Sequence, residues 1–348
     1  MIRSPESTSF RDPAGTREDP ATGRGTSVAR VASFAVAGFA VEGGGLSSAA
    51  QERSTFFDGN SAPCFDTDPE TLAAVFPGRW NRRRDLPEGL GCLVQAYATA
   101  LKNAGWWTMG QTELVDGGSV LGTDYHSLSV SIRYARELAE HGPAGISPSD
   151  FLFSLPSSAS AVLGVLFGLR HYQATVTGGG NAGFQAIQHA RDILSLGRVG
   201  RLVVGASTVV TPEWNETLPR LGYRASPTSR RETLELAVAF CLEPVGGEAE
   251  CGGLLVRDES WVRPEVRSPA LERSPRRTVQ TAETLDDIPA NVRPLAAPSL
   301  LALSREARRL REGGDAAAVM RVMHVDPTDS PVPPLELVWS AARDPENT

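Results

Sequence analysis

The chain has 348 residues with a formal net charge of −7. Its apolar content of 41% and charged content of 22% are those of a soluble globular protein with enough chain for one large or two ordinary domains. The acidic balance excludes a global basic field for nucleic acid. Lys102 is the single lysine, which excludes most lysine chemistry, from Schiff bases to a phosphate-loop lysine.

Residues 1–28 are rich in Ser, Pro, Gly, Arg and Asp without periodicity, so they are expected to form a disordered leader. They contain no apolar stretch of the secretory kind. Residues 29–41 read as a first strand, and the apolar run over 31–41 is too short to span a bilayer. A cytoplasmic chain with no membrane partner is therefore expected. A loop is expected from there to about residue 85, including the charge run Arg82-Arg83-Arg84.

Helical spacing follows over 88–103, where Leu90, Leu93, Val94, Tyr97 and Leu101 share one face. A short strand is expected over 119–123, a helix over 126–141 and a buried helix over 157–168. The segment Ala174-Thr175-Val176-Thr177 reads as a strand, Gly178-Gly179-Gly180 as a turn, and 181–196 as a helix. Strands over 201–205 and 234–242 close this part. Such alternation predicts a layered α/β fold with a mostly parallel sheet. The domain reading is a first half over 29–256, a Pro- and Arg-rich linker over 257–290, and a short tail over 291–348. That tail carries a helix over 299–311 and strands over 318–325 and 335–339. No internal repeat is visible in the sequence.

The glycine turn invites chemistry. Gly178-x-Gly180-x-x-Gly183 fits the dinucleotide fingerprint between a strand and a helix. However, several elements precede it, and the next strand, Leu202 to Ser207, ends without the carboxylate that a ribose requires. No G-x-S-x-G elbow is present. Cys64, Cys92, Cys241 and Cys251 show no metal-type spacing, and reduced thiols are expected. His126, His141, His171, His189 and His324 read as surface or helix-end residues. Neither a metal nor a cofactor is expected.

Read whole, 117–207 resembles the N-terminal half of a β-ketoacyl synthase, a thiolase-like condensing enzyme. The residues that carry this are Val120-Leu121-Gly122-Thr123, Ile146-Ser147-Pro148-Ser149-Asp150-Phe151, and Gly168-Leu169-Arg170 leading into Ala174–Thr177. Ala186-Ile187, Ala190, Gly197 and Val203-Val204-Gly205-Ala206 continue it. Arg82-Arg83-Arg84 and Ala104-Gly105 look like the family's lead-in and first helix. The resemblance implies a thiolase-like α/β/α/β/α fold with a shortened second half.

It also implies where the nucleophile belongs. In the family a cysteine follows the strand at a helix N-terminus, where dipole and free N–H groups favour a thiolate. That position falls on Gly180, between Gly179 and Asn181, so no catalytic residue is assigned. Two histidines are expected from the second half, but Pro294–Leu301 looks like the helix after the second of them and is preceded by Val292 and Arg293.

The resemblance thus points to a non-catalytic subunit similar to chain-length factors. Such a subunit pairs with an active ketosynthase and serves its acyl carrier protein. Ala174, Thr175, Val176 and Thr177 would be the pairing strand, and Gly178, Gly179, Gly180, Asn181 and Gly183 a structural turn that lets interface backbones approach. Phe151 and Phe153 are candidates for lining the partner's pocket. The alternatives are a decarboxylating or acyl-transferring initiation enzyme on the same fold, and a scaffold or regulatory paralogue.

Overall fold

The computed structural model describes residues 28–41, 69–80, 86, 90–111, 115–124, 127–211, 220, 233–245, 253–258, 276–280, 296–312, 317–323 and 335–340. The expected leader, Cys64, Arg82–Arg84, His126, Cys251, Val292, Arg293 and His324 lie outside the described residues.

The first half runs β1 (Val28–Val41), α1 (Pro69–Val75), α2 (Leu90–Asn103), β2 (Gly118–Thr123), α3 (Leu128–His141), α4 (Pro148–Phe153), α5 (Ser158–Phe167), β3 (Gln173–Thr177), α6 (Ala182–Ser195), β4 (Leu202–Val210) and β5 (Thr233–Pro244). The second half contributes β6 (Gly253–Asp258), β7 (Arg276–Gln280), α7 (Ala296–Glu312), β8 (Ala317–Met323) and β9 (Leu335–Ser340). The segment expected as a loop before residue 85 contains α1. The segment read as a linker contains β7 and the end of β6.

Among the described residues the strands form a nine-stranded sheet in the order β3-β2-β4-β5-β1-β6-β9-β8-β7. The sheet is not mostly parallel, as the alternation had suggested. β2 runs parallel to β3 and β4, and β7 to β8, but the five other pairings are antiparallel. The difference lies in β5, which lies antiparallel beside β4, and in β9, which does the same beside β8.

Those returns reveal an internal repeat that the sequence hides. Outward from β1, the neighbours are β5, β4, β2 and β3. Outward from β6, they are β9, β8 and β7, with the same sequence of parallel and antiparallel contacts. β1 and β6 join antiparallel at the centre, Ala29 opposite Val256. In the second copy, no described strand stands where β3 stands in the first.

Layering follows from strand alternation. Val120 of β2 faces an inner cluster with α6 and α7, which also takes Val204 and Ala206 of β4, Val256 of β6, Val322 of β8 and Leu337 of β9. Leu121 and Val203 face an outer cluster built with α1, α2 and α5. β2 and β4 are buried at every residue, as central parallel strands covered on both faces must be. α7 is buried along most of its length, including Ala296–Ser304, Glu306, Ala307 and Leu310.

The inner helices touch at Gly183. A Cβ built there would lie 2.7 Å from the Ala296 carbonyl oxygen and 2.5 Å from Ser299 Oγ. The carbonyl cannot rotate away, so Gly183→Ala must push α6 and α7 apart. We expect a loss of about 1–3 kcal/mol in urea unfolding, whereas Gly200→Ala, with nothing within 4 Å, should stay within about 0.5 kcal/mol.

Candidate functional site

The expected site lies at the C-terminal end of the parallel strands, where α/β sheets place ligands. β3 leads through Gly178 into a 3-10 turn, Gly179–Asn181, and then α6. Gly179 has φ +56, a left-handed conformation that glycine adopts without cost. Gly180 and Asn181 are buried. Asn181 precedes α6 but makes no side-chain cap, so the first N–H groups of this helix are not closed by it.

Gly183, read as part of a turn that brings interface backbones together, is instead the contact between α6 and α7 within the chain. Gly122 has the same character. Its Cβ would lie 2.4 Å from the Ala182 carbonyl oxygen, so the end of β2 sits hard against the start of α6. A Cβ at Gly178 would meet only the Gln185 side-chain oxygen, at 2.4 Å.

Two residues that the sequence did not single out complete this end of the sheet. Asp124, just past β2, accepts the Ala296 N–H at its Oδ2 (2.9 Å) and a hydrogen bond from Thr208 Oγ1 (3.3 Å). Thr208 Oγ1 in turn accepts the Ala297 N–H at 3.0 Å. A carboxylate and a hydroxyl from two strands thereby satisfy the first donors of a buried helix and face its positive end. The available signal was positional: an acid directly after a buried strand, at the carboxyl edge of the sheet. Thr123 Oγ1, on the outer side of the same strand end, is buried without a hydrogen-bond partner among the described residues.

The remaining candidates are dispersed. Ala174 and Val176 pack partly against the inner cluster, and β3 terminates the sheet. Phe151 is 52% exposed, beside Leu152 (51%), Leu155 (40%) and Val165 (52%). Phe153 is half-buried and, with Trp80, Leu152, Val162 and Val165, lines an apolar cavity of about 290 Å³. α5 touches β3, which places this apolar patch beside the sheet edge.

No group of three or more His, Cys, Asp or Glu side chains that could hold a metal ion assembles among the described residues. Cys92 and Cys241 are free and buried. Burial, only partly offset by a hydrogen bond with Ser33, pushes the Cys241 thiol up to about 12, so it holds its proton at neutral pH. His141 ends α3 and is exposed, and His171 lies 2.9 Å from Asp116. His189, expected at the surface, is half-buried within α6 and shares a 2.6 Å hydrogen bond with the Tyr172 hydroxyl.

Residues 69–234, which span α1 to the start of β5 and contain the turn, match the family model for the N-terminal domain of β-ketoacyl synthases. That part of the chain, just under half of its length, is β-ketoacyl synthase-like. A chain of the ishigamide ketosynthase/chain length factor is similar in structure at 15% identity and a TM-score of 0.51, covering 88% of this chain and 98% of that one. Ketosynthase ApeO in complex with its chain length factor ApeC, from Xenorhabdus doucetiae, matches at 15% identity and 0.45, over 90% and 99%. A β-ketoacyl synthase from Burkholderia phymatum matches at 11% and 0.47, over 91% and 100%. Curated protein sequences give no match. The first of these structures establishes the fold as that of the ketosynthase-like, thiolase-type α/β proteins. Among the described residues no helix is long and apolar enough to cross a membrane.

In this ketosynthase-like frame, Asp124 couples the first half to the buried helix of the second. Asp124→Ala should lower stability by about 1–2 kcal/mol and Asp124→Asn by less, read from urea midpoints. An unchanged midpoint for the alanine variant would mean the contact is idle.

Proposed function

We propose that this chain is the non-catalytic subunit of a ketosynthase-like pair. It heterodimerises with an active ketosynthase, presents its apolar patch to the partner's acyl pocket, and shares that enzyme's acyl carrier protein. The observation that carries the reading is that β3 is the edge of the sheet among the described residues, flanked by exposed Phe151, Leu152, Leu155 and Val165. An unpaired edge recruits another strand, and a contiguous apolar patch marks an interface. Fatty-acid- or polyketide-type assembly is the setting in which such a pair works.

Gly180 supports the same role. At the start of α6 it offers no side chain to hold an acyl group, while the buried Cys241 is too basic to substitute. The chain's contribution is then geometric. β3 extends the partner's sheet, with Ala174 to Thr177 as the pairing strand. Phe151 reaches outward from α4 beside Tyr134, and the half-buried Phe153 lines the neighbouring apolar cavity.

Co-expression with the ketosynthase encoded nearest to this chain, followed by light scattering, should give a one-to-one complex. A stable homodimer that ignores the ketosynthase would overturn the reading. Leu152→Glu with Val165→Glu should leave the monomer folded, because both positions are half exposed. It should weaken pairing by about 3 kcal/mol, on the order of a hundredfold. Equal affinity for this double variant would remove the patch from the interface.

A further inference from the structure

At the opposite end of the sheet from the glycine turn, four strands and two helices surround a cleft of about 560 Å³. α7 marks the separation. Its first residues meet Asp124 and Thr208, and its penultimate residue, Arg311, lines the cleft, roughly 22 Å away at 1.5 Å per residue. Arg30 enters from the start of β1, Arg201 from just before β4, and Glu243 from the end of β5. Trp106, Val31 and Leu254 supply apolar wall.

The charges facing this cleft are three arginines and one carboxylate, in a chain whose net charge is −7. Arg30 is paired with Glu243. Arg201 has its guanidinium 5.2 Å from the Trp106 ring centroid, which holds the fork in place without neutralising it. Neither Arg201 nor Arg311 has a carboxylate partner among the described residues. A positive charge at the end of α7 is favoured by the helix dipole, but that accounts for Arg311 alone. Arg30 and Arg201 come from strand ends, and the C-terminus of α2 faces the same cleft through Asn103.

We propose that this cleft binds a phosphate-bearing small molecule, with Arg201 and Arg311 as the anion-holding pair. A guanidinium fork matches two phosphate oxygens at once. The volume falls within the range of small-molecule sites, and the apolar wall leaves room for an organic group on the phosphate. Arg30 is occupied by Glu243 and shapes the rim. The site is independent of the pairing surface at β3, so it stands or falls without the proposed heterodimer.

Isothermal titration of the full chain with inorganic pyrophosphate at fixed ionic strength tests this. One site per chain is expected. Arg201→Gln and Arg311→Gln should each weaken it at least about tenfold, with far-ultraviolet circular dichroism unchanged. Arg198→Gln, an exposed arginine outside the cleft, should leave affinity as it was. No binding by the unmodified chain overturns the proposal. So does undiminished binding by the double variant, or an equal loss in Arg198→Gln, which would indicate a diffuse field.

Discussion

The contact between α6 and α7 is the constraint on which the molecule depends. Two helices with few exposed residues lie between the faces of a folded sheet. Helices placed there must approach closely and must have their terminal donors satisfied, because no water does it for them. Gly183 meets the first requirement by omitting a Cβ against the Ala296 carbonyl. Asp124 and Thr208 meet the second by capping the first residues of α7. Both devices lie within the same few ångströms and tie the C-terminal half to the strand ends of the first. The second half, short as it is, is thereby part of the same core.

That constraint also explains the run of glycines. The end of β2 at Gly122, the start of α6 and the start of α7 converge on one point, and a left-handed step at Gly179 is needed to turn β3 into α6 within three residues. Each side chain removed there brings the backbones closer. A ketosynthase-like chain that carries a nucleophile at this turn must hold that group amid the same crowding. Gly180 contributes backbone alone to this corner, from which β3 is presented at the edge of the described sheet. The apolar α4–α5 surface beside that edge is the feature that the proposed pairing would use.

The first half was legible in the sequence because its elements are buried on simple patterns. β2 and β4 are apolar on both faces, and α2 and α6 carry helical stripes. The turn and the strand before it were found for the same reason. β4 runs on to Val210, past the reading that stopped at Gly205, because Ser207 and Thr208 look like a strand end although Thr208 is buried as a cap. β6 was lost where Arg257 interrupts the apolar pattern. Its charge is buried against Glu336 of β9, 2.8 Å away in register, a pairing that only the folded chain brings together. A buried charge whose partner lies on another strand makes a segment such as β6 look like loop when it is read alone, whereas β9 kept enough apolar residues to be read as a strand. β7 went unread because its sequence opens on Arg276 and Arg277. Asp124 went unmarked because its partner lies 172 residues along the chain.

The two ends of the sheet differ in chemistry because of how the repeated halves meet. At the carboxyl ends of β2 and β4 the backbone is pressed together, helix N-termini converge, and a single carboxylate answers their positive potential. At the amino ends the same strands diverge from the ends of α2 and α7, leaving a cleft where helix C-termini favour cations and where arginines from β1 and from the approach to β4 join them. One end closes and the other opens, so the fold separates the surface proposed to pair with a partner from the cleft proposed to hold an anion. This follows from the direction of the inner helices: both start at the turn, and α7, the longer, reaches through the molecule to the opposite face. A perturbation that tilts α7 at Gly183 is therefore felt at Arg311, and the contact that holds the core together is also the mechanical link between the two ends.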